Sequence, residues 1–171
     1  MRLFKGFKTA DFGLQGFLGA HVEIERKYLL KSLPPNAFGL GGSTIEQGWL
    51  PGKMGRKRLR RTVRGEEEWF TQTVKWGKGL RRLEFEKDLS RERFFRLWPL
   101  TEGSRVRKKR YPISEGQYTW ELDEFLDRDL CLAEIEFASL DAHIEVPKWL
   151  EPYIVREVTD EEGFTNMSLA F

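Results

Sequence analysis

Charged residues recur at every second position along much of this chain, and this spacing most constrains what the chain can fold into. The first instance is V-E-I-E-R-K-Y-L-L at residues 22–30, which contains Glu23, Glu25 and Lys27. Side chains of a β-strand point alternately to its two faces, so these three charges would share one face. A strand with one face in water would be enough to explain this stretch alone.

The same spacing returns on six further predicted strands. The positions are Arg58/Arg60, Thr73/Lys75, Arg82/Glu84/Glu86, Lys108/Arg110, Glu121/Asp123 and Glu134/Glu136. An open antiparallel sheet with one solvated face is the ordinary explanation. A solvated face has no need of so many paired carboxylates and guanidiniums with almost no Ser, Gln or Asn. We therefore favour a sheet rolled into a barrel with the charges inside.

Turn residues and side-chain periodicity predict about eight short strands and a few helices. The strands are expected at residues 22–30, 43–50, 56–64, 68–76, 80–88, 105–113, 118–126 and 130–138. Ser90 is expected to cap the one convincing helix, and Ser139 and residues 165–171 predict further helical turns. The predicted fold class is α+β, mainly antiparallel β, with a closed eight-stranded tunnel-like barrel, a charged lumen and a few helices packed outside.

The length of 171 residues and the hydrophobic content of 40% predict one domain with a packed core. We place that domain at residues 21–171 and interpret residues 1–20 as a loosely ordered N-terminal extension, with an amphipathic targeting segment as the alternative. The chain contains no apolar run of about 18 residues. We therefore expect a cytoplasmic protein with no membrane partner.

The net charge is +2, but it is distributed unevenly along the chain. Residues 53–110 contain 20 Lys and Arg against 8 Asp and Glu, whereas residues 111–171 contain 3 against 15. Such asymmetry can indicate a polyanionic partner such as nucleic acid. It can equally mean that basic and acidic strands fold against each other around one site, which is the interpretation we favour, without a nucleic-acid partner.

A metal–polyphosphate complex would satisfy both kinds of charge in such a lumen. Clustered arginines suit a multiply charged oxyanion, because guanidinium groups bind phosphate oxygens in a bidentate manner. Only Cys131 and two histidines accompany the carboxylates, so a bound metal would be held by oxygen, which favours Mg²⁺ or Mn²⁺. The chain has no Gly-rich phosphate loop, so side chains would have to hold the phosphates.

These residues resemble the CYTH family of triphosphate tunnel metalloenzymes, and most closely its bacterial inorganic triphosphatase branch. Residues 23–27 match the E-x-E-x-K signature of that family, and the similarity extends over roughly residues 21–170. The other matching segments are Q-G-W-L at 47–50, R-L-R at 58–60, T-V-K at 73–75, R-L-E-F-E at 82–86, K-K-R-Y at 108–111, E-L-D at 121–123, A-E-I-E at 133–136 and E-V-T at 157–159 with Asn166. The resemblance implies an eight-stranded antiparallel tunnel that binds a triphosphate together with Mg²⁺ or Mn²⁺.

The resemblance also implies roles for individual residues. Phosphate oxygens would be bound by Arg58, Arg60, Lys75, Arg82 and Arg110, and the metal by Glu23, Glu25, Glu134 and Glu136. Glu84, Glu86, Glu121 and Asp123 could join or support the metal ligands. Lys108 and Lys27 form the expected catalytic set, in which Lys108 prepares the attacking water. To accept a proton, Lys108 needs a pKa depressed by desolvation and neighbouring cations.

One residue departs from the pattern of that branch, which usually has tyrosine where this chain has Trp49. An indole N–H only donates, so Trp49 cannot replace a phenol as a proton acceptor. Three interpretations are open: Lys108 acts alone, Trp49 stacks on an organic substrate group, or Trp49 is part of the barrel packing.

The predicted function is a metal-dependent hydrolase that cleaves a phosphoanhydride bond of a small-molecule triphosphate. Inorganic tripolyphosphate is the favoured substrate, because the compact chain shows no insertion that would bind a nucleotide base or thiamine. The alternatives are a class IV adenylate cyclase, a thiamine triphosphatase and a non-catalytic polyphosphate-binding module. We expect a monomer or a homodimer.

Overall fold

The computed structural model describes residues 20–52, 56–76, 82–137 and 144–171, which form an antiparallel sheet with one short α-helix. Nine strands lie in these ranges: β1 (Ala20–Leu30), β2 (Ser43–Trp49), β3 (Arg56–Arg64), β4 (Glu67–Trp76), β5 (Arg82–Asp88), β6 (Arg105–Glu115), β7 (Tyr118–Phe125), β8 (Cys131–Phe137) and β9 (Ile154–Glu157). The helix α1 (Arg91–Leu97) follows β5, and Ser90 caps it by accepting a hydrogen bond from the backbone N–H of Arg93. Within the described part of the chain, no helix has the length and apolar character required to cross a lipid bilayer.

The strands are ordered β5-β4-β3-β2-β6-β7-β8-β1-β9, and β1 makes an additional pairing with β5. The first part of β1, Ala20 to Glu23, pairs with β5, and its second part, Ile24 to Leu30, pairs with β8. The short strand β9 pairs with the end of β1. The mainly antiparallel β architecture predicted from the sequence is therefore confirmed.

One face of this sheet is strongly charged, and we call it the charged face. Strand alternation and pairing register assign to it Glu25, Lys27, Gln47, Arg58, Arg60, Thr73, Glu86, Lys108, Arg110, Glu121, Asp123, Glu134 and Glu136. The charged residues at every second position therefore share one face of the sheet, as predicted from the sequence.

The opposite face of the sheet carries two clusters of buried apolar residues, beside charged residues such as Glu46 and Arg61. Leu59 and Phe70 pack with Phe94 of α1, all three being buried. A larger cluster contains Tyr28, Tyr111, Trp120, Leu122, Ala133 and Ile135, together with Ala37 of the 3-10 helix Pro35–Leu40 and with Leu150. Helical segments therefore pack against these apolar clusters, and the charged face lies on the other side of the sheet.

A third hydrophobic cluster lies at one end of the charged face. It joins Trp49, Val106, Phe125 and Leu132 to Val158 and Ala170 of the C-terminal segment, which we define as residues 158–171. Phe164, Met167 and Leu169 pack around it. The C-terminal segment thereby covers this end of the charged face with apolar side chains.

The differences from the predicted elements are small and lie near the chain ends. Strand β9 was not predicted, whereas the helical turn expected within residues 165–171 is present as the 3-10 helix Ser168–Ala170. The extension predicted at residues 1–20 lies outside the described residues except for Ala20, as does Ser139.

Candidate active site

Arg110 is the centre of an ionic network on the charged face. Its Nε and Nη2 donate to the two carboxylate oxygens of Asp123 at 2.7 and 2.6 Å, in the bidentate arrangement that suits a planar guanidinium. Nη2 also donates to Glu134 at 2.6 Å, and Nη1 donates to Glu121. Burial disfavours the guanidinium charge, but these carboxylates outweigh it and raise the pKa of Arg110 well above its ordinary value.

Lys27 connects this network to β1. Its Nζ lies 2.7 Å from Glu134 and 4.0 Å from Glu25. Burial lowers the pKa of Lys27, but the charges of Glu134 and Glu25 outweigh it, so the net shift is upward. Burial likewise acts to raise the pKa of Glu134, and Lys27, Lys108 and Arg110 together hold it well below its ordinary value. Lys27 and Glu134 therefore form a charged pair away from bulk water.

Lys108 lies beside Arg110 with a side chain that has no solvent exposure. Its Nζ donates to Oδ2 of Asp123, which is equally buried, and to Oδ1 of Asn166 at 3.2 Å. The ring of Phe125 lies 5.6 Å from the same nitrogen. Burial is the largest influence on this amine and the charge of Arg110 is the next, and together they lower the pKa of Lys108 to about 8 in spite of Asp123. This is the direction that a proton-accepting lysine requires.

Two arginines of β3 extend the charged face away from this network. Arg58 is buried and donates through Nη2 to the hydroxyl of Thr73 at 3.0 Å, and that hydroxyl donates to Glu86 at 2.7 Å. Arg60 faces Gln47 of β2, a fully buried residue. With the amide oxygen of Gln47 directed toward it, Arg60 donates through Nε and Nη2 at 2.8 and 2.9 Å. Both guanidiniums are thus oriented by neutral side chains of the neighbouring strands.

Carboxylates face each other directly at two places in the sheet. Glu121 is paired in register with Glu134, and Arg110 bridges them. Glu136 is paired in register with Glu25 across β8 and β1. Like charges directly opposite each other destabilise a sheet unless a cation lies between them.

The donor chemistry of these carboxylates fits a hard divalent cation, because all of the donors are oxygen. Within the described ranges, no three His, Cys, Asp or Glu side chains are arranged as a ready metal site. Glu134, one of the predicted ligands, instead binds Lys27 and Arg110. The structure thus assembles carboxylates whose partners here are the protein's own cations.

Four of the predicted site residues have side chains outside the described part of the structure: Glu23, Lys75, Arg82 and Glu84. Their backbone positions are described. Glu23 is paired in register with Arg82 between β1 and β5, and Lys75 with Glu84 between β4 and β5. Their predicted roles stay predictions.

Trp49, the residue that departs from the family pattern, is 9% exposed and packs with Phe125 and Leu132 in the third hydrophobic cluster. The packing interpretation therefore agrees with the structure. An indole enclosed in this way offers no open ring face for an organic substrate group.

Three neutral residues contribute to the site without having been predicted for it. Gln47 holds Arg60, Thr73 links Arg58 to Glu86, and Asn166 binds Lys108. Thr73 already belongs to the pattern of every second position, and the same alternation places Gln47 on the charged face, so a search that includes neutral polar residues finds it as well. Asn166 lies outside the sheet, and its signal in the sequence is its place among the segments that resemble the CYTH family.

Comparison with known proteins shows close similarity to enzymes named inorganic triphosphatase. The chain is 37% identical over 154 residues to the inorganic triphosphatase of Nitrosomonas europaea, covering 87% of this chain and 97% of that protein. It is 36% identical over 94 residues to the inorganic triphosphatase of Acetivibrio thermocellus, covering 53% and 58% of the two chains. A crystal structure of an inorganic triphosphatase matches with a TM-score of 0.58 at 33% identity, covering 86% of this chain and 93% of the other. No family model matches the chain.

Proposed function

Since this chain belongs to the CYTH family, in its inorganic triphosphatase branch, we propose that it is a divalent-metal-dependent hydrolase of inorganic tripolyphosphate. One observation carries this proposal: a buried network in which Lys27, Lys108 and Arg110 are held by Asp123 and Glu134. Buried charges are costly unless they are well paired, so such a cluster points to a function rather than to stability.

We propose that the charged face is the inner wall of a tunnel. In the strand order, β5 is the first strand and β1 is the eighth. The additional pairing between these two strands supports a closed arrangement. A lumen of this kind would surround a triphosphate with side chains from every strand except β9. This accounts for the absence of a phosphate-binding loop from the sequence.

Binding would proceed by an exchange of ionic partners. Arg110 is fully engaged by carboxylates in the present structure, and Glu134 is engaged by Lys27 and Arg110. A metal–triphosphate complex supplies phosphate oxygens for the cations and a cation for the carboxylates at the same time. The protein's internal ion pairs therefore keep both sets of ligands in place until the complex arrives.

Phosphate oxygens would be bound by Arg58, Arg60 and Arg110, with Lys75 and Arg82 as further candidates. The metal would be held by Glu25 and Glu136, which face each other across β1 and β8, with Glu23 and Glu134 beside them. Glu86 is hydrogen-bonded to Thr73 and lies 3.6 Å from Arg58, so it is better placed to orient Arg58 than to bind metal. When bound, the metal would supply positive charge that stabilises the phosphoryl group during transfer.

Lys108 would act as the general base. Its pKa of about 8 leaves a substantial fraction of neutral amine at slightly alkaline pH. The amine would take a proton from water as the water oxygen attacks a terminal phosphorus. The phosphoanhydride bond then breaks, and the bridging oxygen leaves with pyrophosphate while orthophosphate is released.

The test is a phosphate-release panel with tripolyphosphate, ATP and thiamine triphosphate, each with Mg²⁺, with Mn²⁺ and with chelator, and with cyclic AMP measured in parallel. We expect phosphate from tripolyphosphate in the presence of metal and none in chelator. Preferred release from either organic triphosphate, or formation of cyclic AMP, would support the corresponding alternative enzyme. Tight binding of tripolyphosphate without turnover would support the binding module.

A further inference from the structure

Lys108 is held by one residue that does not belong to the sheet. A lysine amine has three hydrogen-bonding positions around its nitrogen. Asp123 on β7 occupies one, and Oδ1 of Asn166 occupies another at 3.2 Å. With two of the tetrahedral directions occupied, the direction of the third is determined.

Asn166 is itself held firmly by the C-terminal segment. It lies between the short 3-10 helices Glu162–Phe164 and Ser168–Ala170. The hydroxyl of Thr165 accepts the backbone N–H of Ser168, and the carbonyl of Thr165 accepts that of Leu169. Val158 and Ala170 are buried against Trp49, Val106 and Phe125. These contacts fix the backbone on both sides of Asn166, whose amide oxygen lies 3.2 Å from the Lys108 amine.

Asp123 alone would not give the amine this direction. Its Oδ2 also accepts a hydrogen bond from Arg110, so the carboxylate is shared between two cations. An amine that is hydrogen-bonded only to Asp123 has two further positions that are equivalent, and either of them can face the substrate. The neutral oxygen of Asn166 removes that freedom without adding another negative charge to a buried site.

We propose that Asn166 is a positioning residue that directs the Lys108 amine toward the substrate, so that the C-terminal segment completes the active site. This inference rests on the proposed hydrolysis. Because Asn166 binds the lysine and not the phosphates, its loss should affect turnover more than substrate affinity. Because it acts through Lys108, its loss should matter only while Lys108 is present.

The experiment is a double-mutant cycle of Asn166→Ala and Lys108→Ala, with kcat and KM for tripolyphosphate and the melting temperature measured for each protein. We expect Asn166→Ala to lower kcat by about 10- to 100-fold, as for a catalytic group misplaced by a fraction of an ångström to about 1 Å. KM should change little, because the residue does not bind substrate. Added to Lys108→Ala, the same change should have no further effect on kcat. Glu162→Ala, an exposed position of the same segment, is the matched control and should behave as wild type.

Outcomes that contradict this role differ from those that contradict the hydrolysis. An inactive wild-type protein overturns the proposed function and this inference with it. An active wild-type protein with an equally active Asn166→Ala variant overturns only the inference, as does a loss of kcat that is additive with Lys108→Ala. If the alanine variant melts below the assay temperature, Asn166→Leu replaces it in the cycle, because leucine has the same number of side-chain heavy atoms and the same branching. The same comparison of kcat values then tests the inference.

Discussion

Lys108 and Lys109 are neighbours in sequence but lie on opposite faces of β6. Lys108 is fully buried beside Asp123, whereas Lys109 is half-buried with its amine 5.2 Å from the ring of Tyr111. We expect Lys108→Ala to lower kcat by roughly 10²- to 10⁴-fold, the usual range for general acid–base catalysis. Lys109→Ala is the matched control and should change kcat and KM little. Steady-state kinetics with tripolyphosphate measures both, and a larger loss for Lys109→Ala would show that the assignment of faces is wrong.

The lowered pKa of Lys108 also predicts how stability depends on pH. An unfolded lysine has a pKa near 10.5, and the folded one titrates near 8. Between these values the amine is protonated in the unfolded chain and neutral in the folded one, so the contribution of Lys108 to the free energy of unfolding should rise with pH from about 8 to about 10.5. The raised pKa values of Cys131 and Tyr28 act in the opposite direction above their ordinary values. Lys27 has a raised pKa, and its stabilising contribution is lost only above that window.

Denaturant unfolding at a series of pH values measures this slope. Lys108→Met should remove most of the rise, because it replaces the titrating amine by an apolar group of similar length. An equal slope in wild type and Lys108→Met would show that other groups cause the dependence.

At the scale of secondary-structure elements, the pairing of β1 with β8 leads to a prediction about metal binding. Glu25 and Glu136 face each other directly there. Opposed like charges destabilise a strand pair by roughly 0.2 to 1 kcal/mol, and a cation between them would reverse the sign.

Adding Mg²⁺ or Mn²⁺ should raise the melting temperature of the wild-type protein and have much less effect on Glu136→Gln. At 100 times the dissociation constant, a bound ion contributes about 2.7 kcal/mol, which for a chain of this size corresponds to roughly 5 to 10 °C. Glu66→Gln, an exposed position in the turn between β3 and β4, is the control and should respond to metal as wild type does. Equal metal responses in all three proteins would place the metal elsewhere.

The strands were the part of the structure that the sequence predicted best. Alternation is a local property, so all eight longer strands could be recognised from their own residues. The short strand β9, Ile154–Glu157, has only four residues and no apolar alternation, since three of them are exposed. Its place in the sheet follows from its contact with β1 and not from its composition.

The partners within the site could not be predicted in the same way. Which carboxylate binds Arg110 or Lys27 depends on the register between strands that are distant in sequence, as for Lys27 and Glu134. Gln47 and Asn166 carry no charge and therefore gave no signal in a search for charged pairs. The identity of the charged residues was thus accessible from the sequence, whereas their pairing required the fold.

At the scale of the whole molecule, the site is built from residues that are far apart in the chain, and this determines when it can assemble during synthesis. The backbone N–H of Lys27 donates to the hydroxyl of Thr159, a residue 132 positions further along the chain. A ribosome that adds roughly 5 to 20 residues per second needs about 7 to 26 s to cover that interval. During this period β1 has been synthesised, but its partners β8 and β9 and the C-terminal segment are still incomplete. During this period β1 therefore lacks part of its hydrogen-bonding partners, and the ionic network around Lys27 and Glu134 can be completed only after the ribosome has passed Thr159.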